Sequence, residues 1–304
     1  MGFSAVMLWR LWNGLKHPAY DHPMFLRVRT DIYSDSTHLS RLIQSIFLQG
    51  QIWLWPLLFV IDMRLVCLMA LGGSISGLVL SLLISDQIAH EQHGRTYDLL
   101  CLTPGGTIRT LWAICTGCLH REDAFEILNS NEAWIVRLGL LVPFIVSSQL
   151  LLERLFNLPH GISLLWGIGF VALYSIDHVH STVFGCLVGM LSAQASKGID
   201  ARLWSAILFL SFQVGTILVT LVASLFLLPN LSEVFRVLGV SVEIGQVTFI
   251  VVLFYAVRQF VLTWAWRWLL QETNTHVNEL DMLKPMSNRA ALKPYDDVQT
   301  VART

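Results

Sequence analysis

Residues 66–85 read VCLMALGGSISGLVLSLLIS, and this stretch decides the class of fold. It carries no charge and is long enough, as a helix, to cross a hydrocarbon layer roughly 30 Å thick. Gly72, Gly73 and Gly77, with Ser74, Ser76 and Ser81, give it a thin face. Either another helix approaches closely there, or the small residues face lipid without a partner. Asp62-Met63-Arg64 makes a polar break before it, and a polar segment, Asp86–Gly106, follows it directly.

The remainder of the chain repeats this character. Of its 304 residues, 54% are apolar and only 13% charged, with a mean hydropathy of +0.60. Ordinary globular domains carry about 25% charged residues. A body of this size with so little polar surface cannot be covered in water, so the reading is an all-α, polytopic membrane helical bundle. Further expected spans are 44–61, 134–152, 161–196, 203–228 and 245–270. In 161–196, Ile162–Ser175 and Thr182–Ala195 are each short, and Asp177-His178-Val179-His180 lies between them. The segment is either one broken element crossing once or two short crossings. Lys and Arg concentrate before the first span, in the 86–131 loop, near 197–202 and in the tail. That bias puts both termini in the cytoplasm and favours about six crossings over seven.

Around this transmembrane domain of 44–270, residues 1–43 form an N-terminal cytoplasmic or interfacial segment and 271–304 a cytoplasmic tail. Within 5–15, Trp9 and Trp12 share a helical face with Arg10 nearby, which suits a helix lying in the membrane interface. A helix docked on the rest of the protein is the alternative. The N-terminus lacks the order expected of a cleaved signal peptide. Thr107–His120 is too short to span and reads as an interfacial or re-entrant helix. Pro229–Ile244 reads as a polar loop, with room for a short, partly buried helix.

The net charge of -1 offers no basic surface, so no nucleic-acid partner is expected. No Gly-rich loop followed by Lys-Ser/Thr occurs, so the chain carries no P-loop of its own. Three sets of residues could carry chemistry. Cys115-x-x-Cys118-x-His120 has the residue types for zinc or a dithiol, or packs as part of an apolar helix face. Asp177, His178 and His180, if at membrane depth, must pair or line a polar path; in a loop they are merely solvated. Arg258 lies near the middle of an apolar run and needs a carboxylate, a carbonyl or an anionic headgroup, and Glu243 is too near the run's end to serve.

A further set is in the polar segment itself. Ala89–Leu102 reads as a short amphipathic helix stopped by Thr103-Pro104-Gly105-Gly106. Glu91, Gly94, Thr96, Asp98-Leu99-Leu100 and Thr103-Pro104 stand there in order. In that order the chain resembles the permease subunits of ATP-binding-cassette exporters of the second type, over roughly residues 45–270. Leu191-Ser192-Ala193-Gln194 also looks like the end of that family's fourth helix. Arg95 stands between Gly94 and Thr96, which the family has adjacent. The resemblance implies a cytoplasmic coupling helix whose Glu91, Gly94, Thr96, Asp98, Leu99, Leu100, Thr103 and Pro104 receive motion from a separate ATP-hydrolysing subunit. It implies a non-enzymatic permease, as a homodimer or beside a related permease, among the lipids of an inner or plasma membrane. ATP and magnesium would then sit on the partner, with no cofactor in this chain. The alternative is a structural or assembly subunit of a larger respiratory or photosynthetic membrane complex.

Overall fold

The computed structural model describes residues 4–18, 20, 22–30, 64–93, 97, 101, 106–121, 160–196, 200–237 and 241–274. The expected spans 44–61 and 134–152, and the tail from 275 onward, lie outside these residues, as do the boundaries drawn at 43/44 and 131. Among the described residues every extended element is helical: α1 (Ser4–Lys16), α2 (Pro23–Thr30), α3 (Arg64–His93), α4 (Gly106–Leu119), α5 (His160–Ala195), α6 (Ala201–Val237) and α7 (Val242–Glu272).

At the centre, α3 lies along α5. The thin face of α3 is why they can come so close. A Cβ built on Gly185 would stand 2.3 Å from the Gly77 carbonyl oxygen, and one on Gly189 would stand 2.9 Å from that of Ser81. The seam therefore tolerates only hydrogen at these positions. Ser81 and Ser85 are accommodated by donating back to the carbonyls of Leu78 (2.7 Å) and Leu82 (3.0 Å). The small residues of α3 thus have a partner helix.

Three expectations are corrected. First, 161–196 is neither broken nor doubled, because α5 runs as one 36-residue helix through the polar tetrad. No Gly or Pro interrupts 177–180, and the polar groups bond along the helix: Thr182 Oγ1 donates to His178 O (2.8 Å) and His180 Nδ1 to Ile176 O (2.9 Å). Second, Pro229 does not end α6. It removes a single intrahelical donor, and the helix continues to Val237, where Ser232 Oγ donates to Pro229 O at 2.6 Å. Residues 229–237 and 242–244 of the expected loop are thus helical, and the Ser241 hydroxyl caps α7 by accepting from Ile244 N–H (3.4 Å).

Third, α1 is docked rather than interfacial. Met7, Leu11, Trp12 and Leu15 enter the core, with Trp12 only 6% exposed while Trp9 is 63% exposed. The two indoles are three residues apart, enough to fall on opposite sides of a helix–helix boundary. α1 meets α5 and α7, and Trp112 of α4 packs edge-on against Trp266 of α7. His120, just past α4, donates from Nε2 to the Leu15 carbonyl (2.8 Å), satisfying an otherwise free acceptor at the end of α1.

α2 begins as its sequence dictates. Pro23 takes the first helical position and His22 Nδ1 accepts the Met24 N–H (3.3 Å) as a cap. Burial, with the Arg109 charge adding to it, lowers the His22 pKa from 6.5.

Among the described residues, two helices are long and apolar enough to cross a membrane, α6 and α7, both C-terminal. The expectation of about six crossings is not supported by these residues. α4, at 14 residues, is too short to cross.

Candidate functional site

α6 shows how the bundle treats its polar residues. Its buried positions are Ala201, Ser205, Phe209, Gln213, Thr216, Thr220 and Ser224, spaced three or four apart on one face. Its outward face is Leu, Ile, Val and Phe, with Leu225 67% and Phe226 73% exposed. A helix of a water-soluble domain has the opposite arrangement. Two hydroxyls on the inner stripe are satisfied locally, Thr216 Oγ1 donating to Phe212 O (2.7 Å) and Thr220 Oγ1 to Thr216 O (2.8 Å), whereas Ser205 Oγ has no partner among the described residues.

This inner stripe meets a buried charged cluster. Asp177 and Ser181 lie four apart on α5 and so share a face. Arg258, near the middle of α7, reaches across with both ends of its fork. Nη2 pairs with Asp177 Oδ1, and Nη1 donates to Ser181 Oγ at 3.0 Å. Ser181 Oγ also donates to Asp177 Oδ1 (3.3 Å). From α6, Gln213 Nε2 donates to the same oxygen (3.2 Å) and to Ser74 Oγ of α3. One carboxylate oxygen therefore gathers groups from α5, α6 and α7, and Gln213 extends the network to Ser74 of α3. Asp177 is 2% and Arg258 5% exposed. The guanidinium also lies over Phe254, 5.0 Å from the ring centre. Asp177 Oδ2 and Arg258 Nε have no hydrogen-bond partner.

His180 stands one residue from Ser181 at the edge of this cluster. Its Nε2 faces Gln259 Oε1 at 3.3 Å, and its ring meets Tyr255 edge-on at 5.3 Å. His178 is also buried, but one residue around the helix from Asp177. A cleft of about 220 Å³, counting its open mouth, lies beside the cluster. It is bounded by His180 and Phe184 of α5, Gln213 and Thr216 of α6, and Arg258 and Leu262 of α7.

Of the residues singled out from sequence, Asp177, His180 and Arg258 are thus brought together. The carboxylate that Arg258 requires is Asp177. Sequence reasoning missed Ser74, Ser181, Gln213 and Gln259. The polar stripe at helical spacing in α6, from Ser205 through Gln213 to Ser224, was the signal that could have found Gln213.

The segment resembling a coupling element is described only in part. Glu91 is in the last turn of α3, so Ala89–His93 continue the long helix rather than starting a separate short one. Its carboxylate is 1% exposed, and Arg27 Nη2 of α2 forms an ion pair with Oε2 at 3.4 Å. Tyr97 accepts from Gln194 Nε2 of α5 (2.8 Å), and burial raises its phenol pKa. Gly94, Thr96, Asp98, Leu99, Leu100, Thr103 and Pro104 lie outside the described residues. At the surface nearby, Arg202 of α6 pairs with Asp86 of α3 at 2.6 Å.

Cys115, Cys118 and His120 diverge. The Cys115 thiol hydrogen-bonds with that of Cys186 on α5, and burial holds its pKa well above the ordinary value. Burial likewise pushes Cys118 up to about 12, while His120 is committed to Leu15 O. Both cysteines are free thiols. Among the described residues no group of three or more His, Cys, Asp or Glu side chains could hold a metal ion.

The chain matches no known protein family, no curated protein sequence and no solved structure.

Proposed function

We propose that this chain is the membrane-embedded, non-enzymatic subunit of an exporter driven by a separate ATP-binding-cassette ATPase. The observation that carries the membrane part is the inside-out pattern of α6, whose polar stripe faces protein while its apolar face is left outward. Lipid is the solvent that favours this arrangement. A buried Asp–Arg pair near the middle of α5 and α7 has the same logic, since charges at membrane depth face the bundle interior and pair there.

In this reading α3, α5, α6 and α7 cross the bilayer together with 44–61 and 134–152, and both termini are cytoplasmic. The ATPase docks on the 86–106 segment, and ATP and magnesium stay on that partner. α3 supports the coupling part because it is one continuous helix from Arg64 to His93. A push at the Glu91 end is therefore transmitted about 20 Å along a continuous rod to the Gly77 seam with α5. The nucleotide state of the partner then shifts the population of bundle conformations. A second copy, or a related permease, completes the substrate route.

The test is a pull-down of the tagged chain in mild detergent, with mass spectrometry and an ATPase assay. A stoichiometric ATPase subunit is expected, and Glu91→Ala with Asp98→Ala should separate hydrolysis from transport. Recovery with several unrelated membrane subunits and no ATPase would overturn the exporter reading in favour of a structural subunit.

A further inference from the structure

We infer that the cleft beside the Asp177–Arg258 pair is an internal water site, which keeps the Arg258 side of that pair hydrated inside the helix bundle. The inference rests on the membrane-embedded part of the reading above and not on the ATPase. Two observations meet here. The cluster leaves Arg258 Nε without a hydrogen-bond partner on a residue 5% exposed, and Asp177 Oδ2 without one on a residue 2% exposed. A buried polar atom in that state is rare, because such atoms are met by protein or ordered water in native structures. The second observation is the cleft that Arg258 lines.

Its size selects the ligand. The cavity proper is only about 10 Å³, at the edge of the roughly 10–15 Å³ that a single water needs and far too small for an organic ligand. A water claims about 30 Å³ of liquid and needs two to four polar partners. The lining supplies them without disturbing any existing bond. Arg258 Nε has a proton to donate, and Thr216 Oγ1, which spends its own proton on Phe212 O, keeps lone pairs that accept. The Gln213 side chain adds a carbonyl oxygen, since its amide nitrogen is the end turned to Asp177 and Ser74. Pair and cleft together hold no net charge if Asp177 is ionised, which favours a neutral hydrogen-bonding molecule over an ion. Water here has a mechanical consequence. Arg258 can part from Asp177 without losing every partner, so α7 can slide against α5 at lower cost than across a dry ion pair.

The experiment is hydroxyl-radical footprinting of the full chain in lipid nanodiscs, with radicals generated by pulsed radiolysis in heavy-oxygen water and sites read by mass spectrometry. Radicals born from bound water label the side chains next to it. Phe184 and His180 are buried and line the cleft, whereas Phe209 is fully buried, packs on Phe184 at 5.7 Å and does not line it. Several-fold stronger labelling of Phe184 and His180 than of Phe209 is expected. Equal labelling of all three overturns the proposal. Thr216→Val, which removes one acceptor and little volume, should reduce the labelling of Phe184 and His180. Unchanged labelling in that variant would place the water elsewhere and also overturn the assignment. Phe226, outward on α6, reports separately: strong labelling there places α6 in bulk water and defeats the membrane reading, while the cleft is still judged by Phe184 against Phe209.

Discussion

Replacing Arg258 with leucine leaves the Asp177 carboxylate buried without its counter-charge. The cost of breaking a buried pair from one side is about 3–5 kcal/mol. The structure places this case at the lower end, because Asp177 Oδ1 would still accept from Ser181 (3.3 Å) and Gln213 (3.2 Å), and because the carboxyl can take up a proton. A loss of about 3 kcal/mol is therefore expected for Arg258→Leu. Asp177→Asn in the same chain removes the stranded charge, so the double variant should lie only about 1 kcal/mol below the wild type, the size of a lost hydrogen bond. The resulting coupling is about 2 kcal/mol or more. Arg258→Lys should recover only part of the loss, since one ammonium cannot reproduce the fork that reaches Asp177 Oδ1 and Ser181 Oγ together. The assay is reversible unfolding in mixed bicelle–dodecyl sulfate solutions, followed by far-ultraviolet circular dichroism. Additive single and double variants, with Arg258→Leu costing less than about 0.5 kcal/mol, would refute the pairing and with it the four-helix junction.

Two further outcomes follow from the packing and from the cap. Gly185→Ala should lower stability by roughly 1–3 kcal/mol, because the new methyl meets the Gly77 backbone at 2.3 Å and α3 must move away from α5. Gly215→Ala meets nothing within 4 Å and should be neutral or stabilising by up to about 1 kcal/mol, which makes it the matched control in the same thermal-melt series. The His22 cap should also make stability pH-dependent. Its folded pKa lies below the unfolded value of 6.5, so the unfolded chain binds more protons in that window. Stability is then fully present above pH 6.5 and declines as pH falls toward the lowered value. Protonated Nδ1 can no longer accept the Met24 N–H. His22→Asn keeps an acceptor at the cap and should remove this part of the pH dependence; a pH profile identical to wild type would show that His22 is not its source.

The coupling segment illustrates a limit of local reading. Ala89–Leu102 has a plausible amphipathic pattern, and pattern alone invites a helix beginning where the polar residues begin. Nothing between Ser85 and His93 breaks a helix, however, so α3 continues to His93. The same reason corrects 161–196: polar residues were treated as breakers, although only the absence of partners makes them so, and Arg258, Gln213 and Gln259 supply partners for Asp177 and His180. Trp9 and Trp12 were assigned to one interfacial face by spacing, but whether an indole meets lipid or Trp266-side core depends on which helices arrive beside α1.

From the sequence by itself came the helical class, the long apolar segments at α6 and α7, the thin face of α3 and the need of Arg258 for a partner. These are properties of one segment at a time: a run's length against a hydrocarbon layer, the absence of a Cβ, the cost of a lone charge. Only the tertiary structure decided that Asp177 is that partner, that Gln213 and Ser74 join it, and that Cys115 meets Cys186 while His120 bonds the Leu15 carbonyl. Asp177 and Arg258 are 81 residues apart, and no periodicity within either helix encodes the rotation of one about the other. That rotation is set by packing, above all by the Gly77–Gly185 contact that brings α3 and α5 together and fixes which faces remain for α6 and α7.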